Sequence, residues 1–499
     1  MLNPERILGV WTGAPIRTPV TVTHLSPILP EGVKNDPRPT APGGAGYGLH
    51  RDALGHFDSV AQSISTMAPT ASAAMTVPLV FASAGNGTWI SYLLATLCTL
   101  FVGLCIARFA RDSASPGSLY SYATSSLPPV LGSVAAWALL LAYVASGASV
   151  VGGFVHYANV VLVAFVGRGL PDVPLGIACV LFSAWVAYRD VKASARLMLY
   201  IELVSVLVIS SVFALLLWQH GFHFDAAQLS LHGASFSGIR LGLVLAMFSF
   251  VGFESATTLG EEVRNPLRTI PRAVIQSALI SGLFFMAASY TEVLAFPASA
   301  GSLDQSDAPL SVLAKVAGIA RLGPFIDICA MITMLSCTLA CVTAAARVLL
   351  NMSHNGLVAG FLAGVHAKNR TPHLAVFAAA VVTLLLSVPL SAWKVSGETI
   401  YDWMGSLATY GFIVVYALVA VALPIYLRRR QKLTYAAISL SVLSVVAMAL
   451  VLAGTLYPVP EAPLNWLPYI FLLYLAVAAG FNAWQARQPR LQASLDPLR

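Results

Sequence analysis

Apolar runs of about twenty residues alternate with short polar connections along most of this chain. Twelve are legible, at about 59–83, 89–108, 134–163, 173–190, 196–218, 239–260, 271–297, 324–350, 373–392, 402–427, 433–456 and 465–486. A helix of that length crosses a hydrocarbon core of about 30 Å. Lipid offers no partner to backbone polar groups, and the two-residue alternation of a barrel strand is absent, so the runs are expected to be helical. The run over 134–163 is longer than the bilayer requires and predicts a tilted helix or one that projects beyond the lipid. The expected fold class is therefore an all-α membrane protein with twelve transmembrane helices.

Composition agrees with this pattern and excludes a soluble domain: 58% of the 499 residues are hydrophobic and 10% charged. An even number of spans puts both termini on one side. The segments on that side hold Arg108, Arg111, Arg189, Lys192, Arg196, Arg264, Arg268, Arg272, Arg347, Lys368, Arg370, Arg428, Arg429, Arg430, Lys432, Arg487, Arg490 and Arg499. The opposite loops hold Arg168, Arg240, Lys315, Arg321 and Lys394. The positive-inside rule then predicts cytoplasmic termini and a multi-pass protein of the plasma (inner) membrane. This distribution also accounts for the net charge of +7, so nucleic-acid binding is not needed to explain it.

The first 58 residues are rich in Pro, Gly and Thr and contain no long apolar run. They lack the basic start and apolar core of a signal peptide. They read as a disordered cytoplasmic tail. The expected organisation is a tail over 1–58, a core of ten spans over 59–427, and spans eleven and twelve with a C-terminal tail over 428–499. Cys98, Cys105, Cys179, Cys329, Cys337 and Cys341 all fall within spans. They have no metal-ligand spacing and read as packing residues. His156 is the one histidine in the interior of a span, which leaves a bis-histidine haem without support. No cofactor and no metal is expected.

Two runs are interrupted. The first reads SVAQSISTMAPTASAAMTVPLVFA from Ser59 to Ala82, with Pro69 among hydroxyl residues. Proline lacks an amide donor and clashes with the carbonyl four residues back, so the helix should break there. The sixth run carries Gly252 and Glu254 in its apolar stretch and ends in Glu261, Glu262, Arg264 and Arg268. Interruptions at corresponding places in two halves point to an inverted-repeat transporter with a midplane site. Two ordinary kinked helices are the alternative, since Ser and Thr bond back to their own backbone in membrane helices.

The segment FSFVGFESATTLGEEVRNPLRTIPRAV resembles the sixth-span signature of the amino acid–polyamine–organocation superfamily of permeases. AQSISTMAPT in span one, the loop Pro116–Gly117–Ser118–Leu119–Tyr120–Ser121–Tyr122 and AAARVLLNMSHNG at the end of span eight are similar to further family motifs, in the family's order. The resemblance implies a five-plus-five inverted repeat with broken helices 1 and 6, spans eleven and twelve lying outside it. It also implies a secondary active transporter that works by alternating access, with a small-molecule substrate and the lipid bilayer as partners.

A zwitterionic amino acid needs donors for its carboxylate and acceptors for its ammonium. A broken helix offers both, as free amides on one half and free carbonyls on the other. Backbone around Ser65, Thr66, Met67 and Ala68 is expected to hold the carboxylate, and carbonyls near Phe250 and Val251 the ammonium. Gly252 permits close approach. Phe250 and Phe253 are candidates for an aromatic gate over the substrate, with core packing as their alternative. Glu254, and Glu202 in span five, are intramembrane carboxylates whose insertion costs at least about 2.5–3.5 kcal/mol each. They are candidates for proton coupling or gating, because a carboxyl group can take up and release a proton as water reaches it. A structural acid bonded to a neighbouring helix is the alternative for each.

Some proton-coupled family members place a Lys in span five. Here Ser205 stands at the corresponding position, and Thr338 and Thr343 are candidate contributors to a sodium site, so proton and sodium both remain possible coupling ions. Glu292 and Asp327 lie near the outer ends of their spans and are expected to reach water. Glu261, Glu262, Arg264 and Arg268 are expected to form ion pairs of an inner gate near Arg108 and Arg111. Polyamine or another organic cation is the competing substrate class. A membrane enzyme lacks a supporting motif, since neither HExxH nor GxSxG occurs. A channel or receptor-like protein is a further alternative, although the short outer loops leave little room for a ligand-binding domain.

Overall fold

The computed structural model describes residues 47–486, apart from 190, 224 and 458. Residues 1–46 of the expected tail, and Arg487, Arg490 and Arg499, lie outside the described residues. The helices are α1 (His56–Met67), α2 (Pro69–Ala71), α3 (Val77–Ala84), α4 (Thr88–Ala110), α5 (Ser118–Thr124), α6 (Pro129–Val166), α7 (Asp172–Arg189) and α8 (Val191–Gln219). They continue with α9 (Ala226–Leu229), α10 (Phe236–Ser249), α11 (Pro266–Ala295), α12 (Pro309–Val316), α13 (Gly323–His354), α14 (His373–Ala392), α15 (Gly397–Arg429), α16 (Tyr435–Leu456) and α17 (Leu467–Ala486). No strand occurs among the described residues, and a single parallel bridge joins Leu54 to Val263.

Ten helical stretches among the described residues are long and apolar enough to cross a membrane. The first runs from His56 to Ala110 over 55 residues and contains α1 to α4, while α10 is a shorter apolar helix. Large apolar side chains such as Leu203, Leu207, Val442, Leu450, Leu472 and Leu473 are exposed on α8, α16 and α17. Serines, threonines and five glutamates are buried inside. This inversion is what an apolar solvent around the bundle requires.

Helix ends extend past the apolar runs because the helix continues wherever water can solvate its last turn. The run expected at 134–163 is the 38-residue α6, about 57 Å at 1.5 Å per residue. It packs against α13 and α15 at the centre of the bundle through small residues. A Cβ on Gly152 would lie 2.6 Å from the Gly397 carbonyl oxygen, and one on Gly411 2.6 Å from that of Ala138. Only glycine allows these backbones to approach so closely.

Both interruptions are present. Ala68 adopts the left-handed conformation (φ 46°, ψ 68°) and ends α1, and Pro69 begins α2 at the position where its missing amide costs nothing. A π turn over Ser72–Thr76 then leads into α3. α10 ends at Ser249, and a 3₁₀ turn follows only at Ser255–Leu259. Between them Gly252 takes φ 86°. A Cβ there would collide with Thr66 Cγ2, so the two breaks meet at this glycine.

The stretch expected as tail up to residue 58 is packed in its last part, and α1 begins at His56. Tyr47, Leu49 and Leu54 are buried. The segment extends to α13, where the Tyr47 and His354 rings lie edge to face at 5.0 Å. Its composition resembles a linker; its three large apolar side chains find a site that only the folded bundle creates.

Candidate functional site

The breaks are fastened to each other by side chains. Thr66 Oγ1 and Ser255 Oγ are 2.8 Å apart, and the Ala256 amide donates to Ser63 Oγ at 3.0 Å. Gln62 Nε2 donates to the Ala340 carbonyl at 3.1 Å, tying α1 to α13. These bonds satisfy backbone groups that the irregular segment would otherwise leave buried and unpaired.

At the junction lies a cavity of about 10 Å³ lined by Thr66, Met67, Ala68, Ser72, Ser146, Val150, Phe248, Val251, Cys337 and Tyr401. That is room for about one water, so the pocket is closed around its centre. The Val251 carbonyl accepts no hydrogen bond from any described residue, whereas the Phe250 carbonyl accepts the Phe253 amide at 3.2 Å. Cys337 Sγ donates to the Thr66 carbonyl at 3.2 Å.

Thr66, Met67, Ala68 and Val251 therefore line one pocket, and Ser65 lies beside them, buried, with its hydroxyl unpartnered. Phe250 and Phe253 do not line it. Phe250 packs edge to face on Phe285 at 5.1 Å, and Phe253 on Tyr416 at 5.4 Å. The aromatic residues at the cavity are Phe248 and Tyr401, in contact at 5.3 Å. Helical periodicity stops at Ser249, so the directions of the side chains after it cannot be read from spacing. Ser146 and Val150 were also not singled out, although the run SGASVVGG in α6 gave a signal of close helix contact.

The buried acids differ in what surrounds them. Glu254 is fully buried, and both its oxygens are occupied: Tyr143 donates to Oε1 at 2.8 Å and Tyr416 to Oε2 at 2.5 Å. Glu202 is 3% exposed and faces the Thr70 amide at the start of α2, yet neither oxygen accepts a hydrogen bond. Glu292, expected to reach water, is instead 0% exposed with neither oxygen bonded. Asp327 is likewise buried, near Ser311 and Lys315. Asp327 is covered by α12, which the hydropathy pattern did not reveal and which packs on α13, whereas Glu292 faces the bundle interior near Tyr92 and Tyr157. Ser205 accepts from Thr333 Oγ1 at 3.1 Å, while Thr338 donates to the carbonyl of Met334 in its own helix.

The charged cluster after the second break joins partners other than Arg108 and Arg111. Glu262 forms a bidentate pair with Arg347 of α13, at 2.6 Å (Nε–Oε2) and 3.0 Å (Nη2–Oε1). Glu261 accepts the Tyr47 amide on both oxygens at 3.1 Å and Arg51 Nε at 3.3 Å. Burial pushes the Glu261 carboxyl above its ordinary value, against the pull of the Tyr47 amide and Arg51. Arg264 donates through Nε to the Asp52 carbonyl at 2.8 Å, the Leu54 amide donates to the Glu262 carbonyl at 3.0 Å, and the Arg264 amide donates to the Leu54 carbonyl at 2.9 Å. Arg268 makes no ion pair among the described residues. Segment 47–54, the loop after α10 and the end of α13 are thus held together at the end of the bundle where α1 begins.

Comparison with known proteins bears on this arrangement. The family model described as amino acid permease matches residues 58–486. The branched-chain amino acid permease BcaP of Bacillus subtilis is 28% identical over 373 residues, 70% of this chain and 75% of the relative. The low-affinity putrescine importer PlaP of Escherichia coli K12 is 28% identical over 59% of this chain and 66% of its own length. The methylthioribose transporter of Bacillus subtilis is 24% identical over 85% of this chain and 91% of its own. Broken helices that meet at a glycine, a closed pocket between them and a family match across nearly all the described residues lead to one assignment. The chain belongs to the amino acid permease family, within the amino acid–polyamine–organocation superfamily, and is a membrane transporter rather than an enzyme.

Proposed function

We propose that this permease carries an amino acid with an apolar side chain across the plasma membrane by alternating access. The observation that carries the reading is the lining of the central cavity. It contains the end of α1 with its cap Ala68, and Val251 of the second break, and its side chains are neutral, with Val150, Val251, Met67 and Phe248 among them. Backbone polarity suits a zwitterion, and the apolar walls suit an aliphatic side chain. A polyamine would need carboxylates in the lining, and none of the lining residues is acidic. The branched-chain permease among the relatives agrees with this choice.

In this reading the stretch His56–Ala110 is two spans joined at Gly85–Gly87, and α10 with the irregular segment to Leu259 is the broken sixth span. That makes twelve, with spans one to five repeated inversely as six to ten, α16 and α17 outside the repeat, and both termini cytoplasmic by the distribution of basic residues. The core of the transporter spans 59–427. Glu202 is the coupling group, as an unpaired carboxyl at the start of α2 that a proton or a cation can neutralise. Glu254, clamped by two tyrosines, orients the second break and opens only if those bonds part. The pairs of Glu261 and Glu262, with Arg264 beside them and Arg268 on the first turn of α11, form the inner gate.

Uptake of labelled amino acids and polyamines into proteoliposomes, with and without a pH or sodium gradient, tests the reading. Leucine-like substrates are expected to accumulate and putrescine is not. Absence of accumulation and exchange for every amino acid sinks it. A Glu202→Gln variant is expected to exchange substrate and to lose gradient-driven accumulation; full accumulation removes Glu202 from the coupling scheme.

A further inference from the structure

A second cavity lies on the other side of the aromatic pair. Its volume is about 340 Å³, within the range of small-molecule sites. α3, α10, α15, α16 and the segment before α17 supply its walls, which are largely aliphatic, with Leu79, Leu241, Val244 and Leu245 among them. Two acids line it, Asp402 and Glu461, and no basic residue does. The Asp402 carboxyl accepts no hydrogen bond and joins no ion pair among the described residues.

Three of the lining threonines and Tyr401 are committed elsewhere, while Ser83 and Ser406 line the cavity without a side-chain hydrogen bond among the described residues. Thr76 and Tyr401 bond each other at 2.9 Å, Thr409 donates to the Gly405 carbonyl at 2.9 Å, and Thr455 to that of Leu452 at 2.6 Å. Phe248 and Tyr401 belong to the linings of both cavities. The Phe248 ring reaches this place because α15 has no side chain at Gly405, where a Cβ would lie 2.5 Å from Phe248 Cζ. The cavity is therefore a separate chamber behind the Phe248 ring, with the unpartnered Asp402 carboxyl in its apolar wall and Glu461 at its rim. A carboxylate partly withdrawn from water that accepts no hydrogen bond is half of an ion pair.

We propose that this chamber is a binding site for an organic ammonium, a primary amine with an apolar stem, distinct from the central pocket. Its ammonium group sits on Asp402, its stem lies against Leu241, Val244 and Leu245, and Glu461 at the exposed rim attracts it. The opposite electrostatics of the two cavities, one neutral and one acidic, separate their ligands: a free amine stays in the outer chamber, and a zwitterion loses part of that attraction through its own carboxylate.

Calorimetric titration of the purified full-length protein with 2-phenylethylamine tests this, beside 2-phenylethanol and 3-phenylpropionate, which share the ring and stem. The amine is expected to bind saturably, and the alcohol and the acid about tenfold more weakly or worse, as loss of a charged hydrogen bond implies. Asp402→Asn, close to isosteric, is expected to lower amine affinity about tenfold or more, and Glu461→Gln at the rim by less than about threefold. Saturating amine is expected to slow amide hydrogen exchange in 454–467 and not in 66–72. Equal affinity for amine and alcohol, no saturable amine binding, undiminished binding after Asp402→Asn, or slowing confined to 66–72 each overturns the proposal. The comparison of amine with alcohol uses the unaltered protein, so it decides even if Asp402→Asn does not fold. No gradient or vesicle is involved, so a failure here is separate from a failure of the uptake test.

Discussion

Replacing Glu262 by Gln removes the charge that neutralises Arg347 while leaving both side chains nearly the same size. In the closed structure the two side chains are 0% and 3% exposed, with N–O distances of 2.6 and 3.0 Å, and Arg347 Nη1 also donates to the Thr343 carbonyl at 3.0 Å. An uncompensated guanidinium in that position costs about 3–5 kcal/mol. The cost falls on the closed gate alone if the open gate hydrates Arg347. The ratio of open to closed protein should then rise about a hundredfold to a few thousandfold, at 1.4 kcal/mol per factor of ten. Cys337 reports on it, because it lines the central cavity and is 2% exposed. In a background retaining only Cys337, maleimide labelling of Glu262→Gln is expected to be about a hundredfold faster than without that change. Glu262→Gln combined with Arg347→Gln should label more slowly than Glu262→Gln alone, since no charge is left unpaired. A well-folded Glu262→Gln that labels no faster refutes the gate, and a double variant as reactive as the single one refutes the electrostatic explanation.

Other expectations concern the breaks, the Glu254 clamp and Glu261. Gly252→Ala forces a left-handed residue and a collision with Thr66 Cγ2; it should reduce uptake at least about tenfold, at about 1–2 kcal/mol for the backbone alone. Thr66→Ser, which removes that methyl group, should restore part of it, and no rescue refutes the contact. Tyr416→Phe should lower the unfolding temperature in detergent more than Tyr143→Phe, because its bond to Glu254 is 2.5 Å against 2.8 Å; each removes about 1–3 kcal/mol, and the reverse order refutes the assignment. Burial in the folded protein raises the Glu261 carboxyl above its ordinary 4.5, so the folded protein binds this proton more tightly than the unfolded chain. Its contribution to stability is then full below 4.5 and is lost as pH rises through the folded value. The unfolding temperature of the wild type relative to Glu261→Gln should fall over that interval, and a rising difference refutes the sign.

How far the site was legible depended on the range of the cause. Pro69 and Gly252 announced both breaks, because proline and glycine act on the backbone where they stand. Thr66, Met67, Ala68 and Val251 could be placed at the pocket for the same reason, being adjacent to a break. Phe250 and Phe253 were candidates because they flank the break and match the family's aromatic positions, and the loss of helical phase after Ser249 turned them into the core and left Phe248 at the cavity. The acid pair Glu261 and Glu262 stood out as a candidate gate, but its partners came from residues far along the chain: Arg347 was visible only as one of many basic residues, and Arg51 lay in a segment whose composition reads as tail.

Local chemistry thus determined that this chain is a helical membrane protein and where two of its helices break. Lipid makes those properties additive along the sequence, since each run of apolar residues either spans or does not. The tertiary structure decided which acids are satisfied. Glu254 meets Tyr143 and Tyr416 from two distant helices, Glu202 and Glu292 accept no hydrogen bond among the described residues, and Asp402 faces an open chamber. A carboxyl group's partner is set by helix packing across tens to hundreds of residues, and no local pattern encodes that distance.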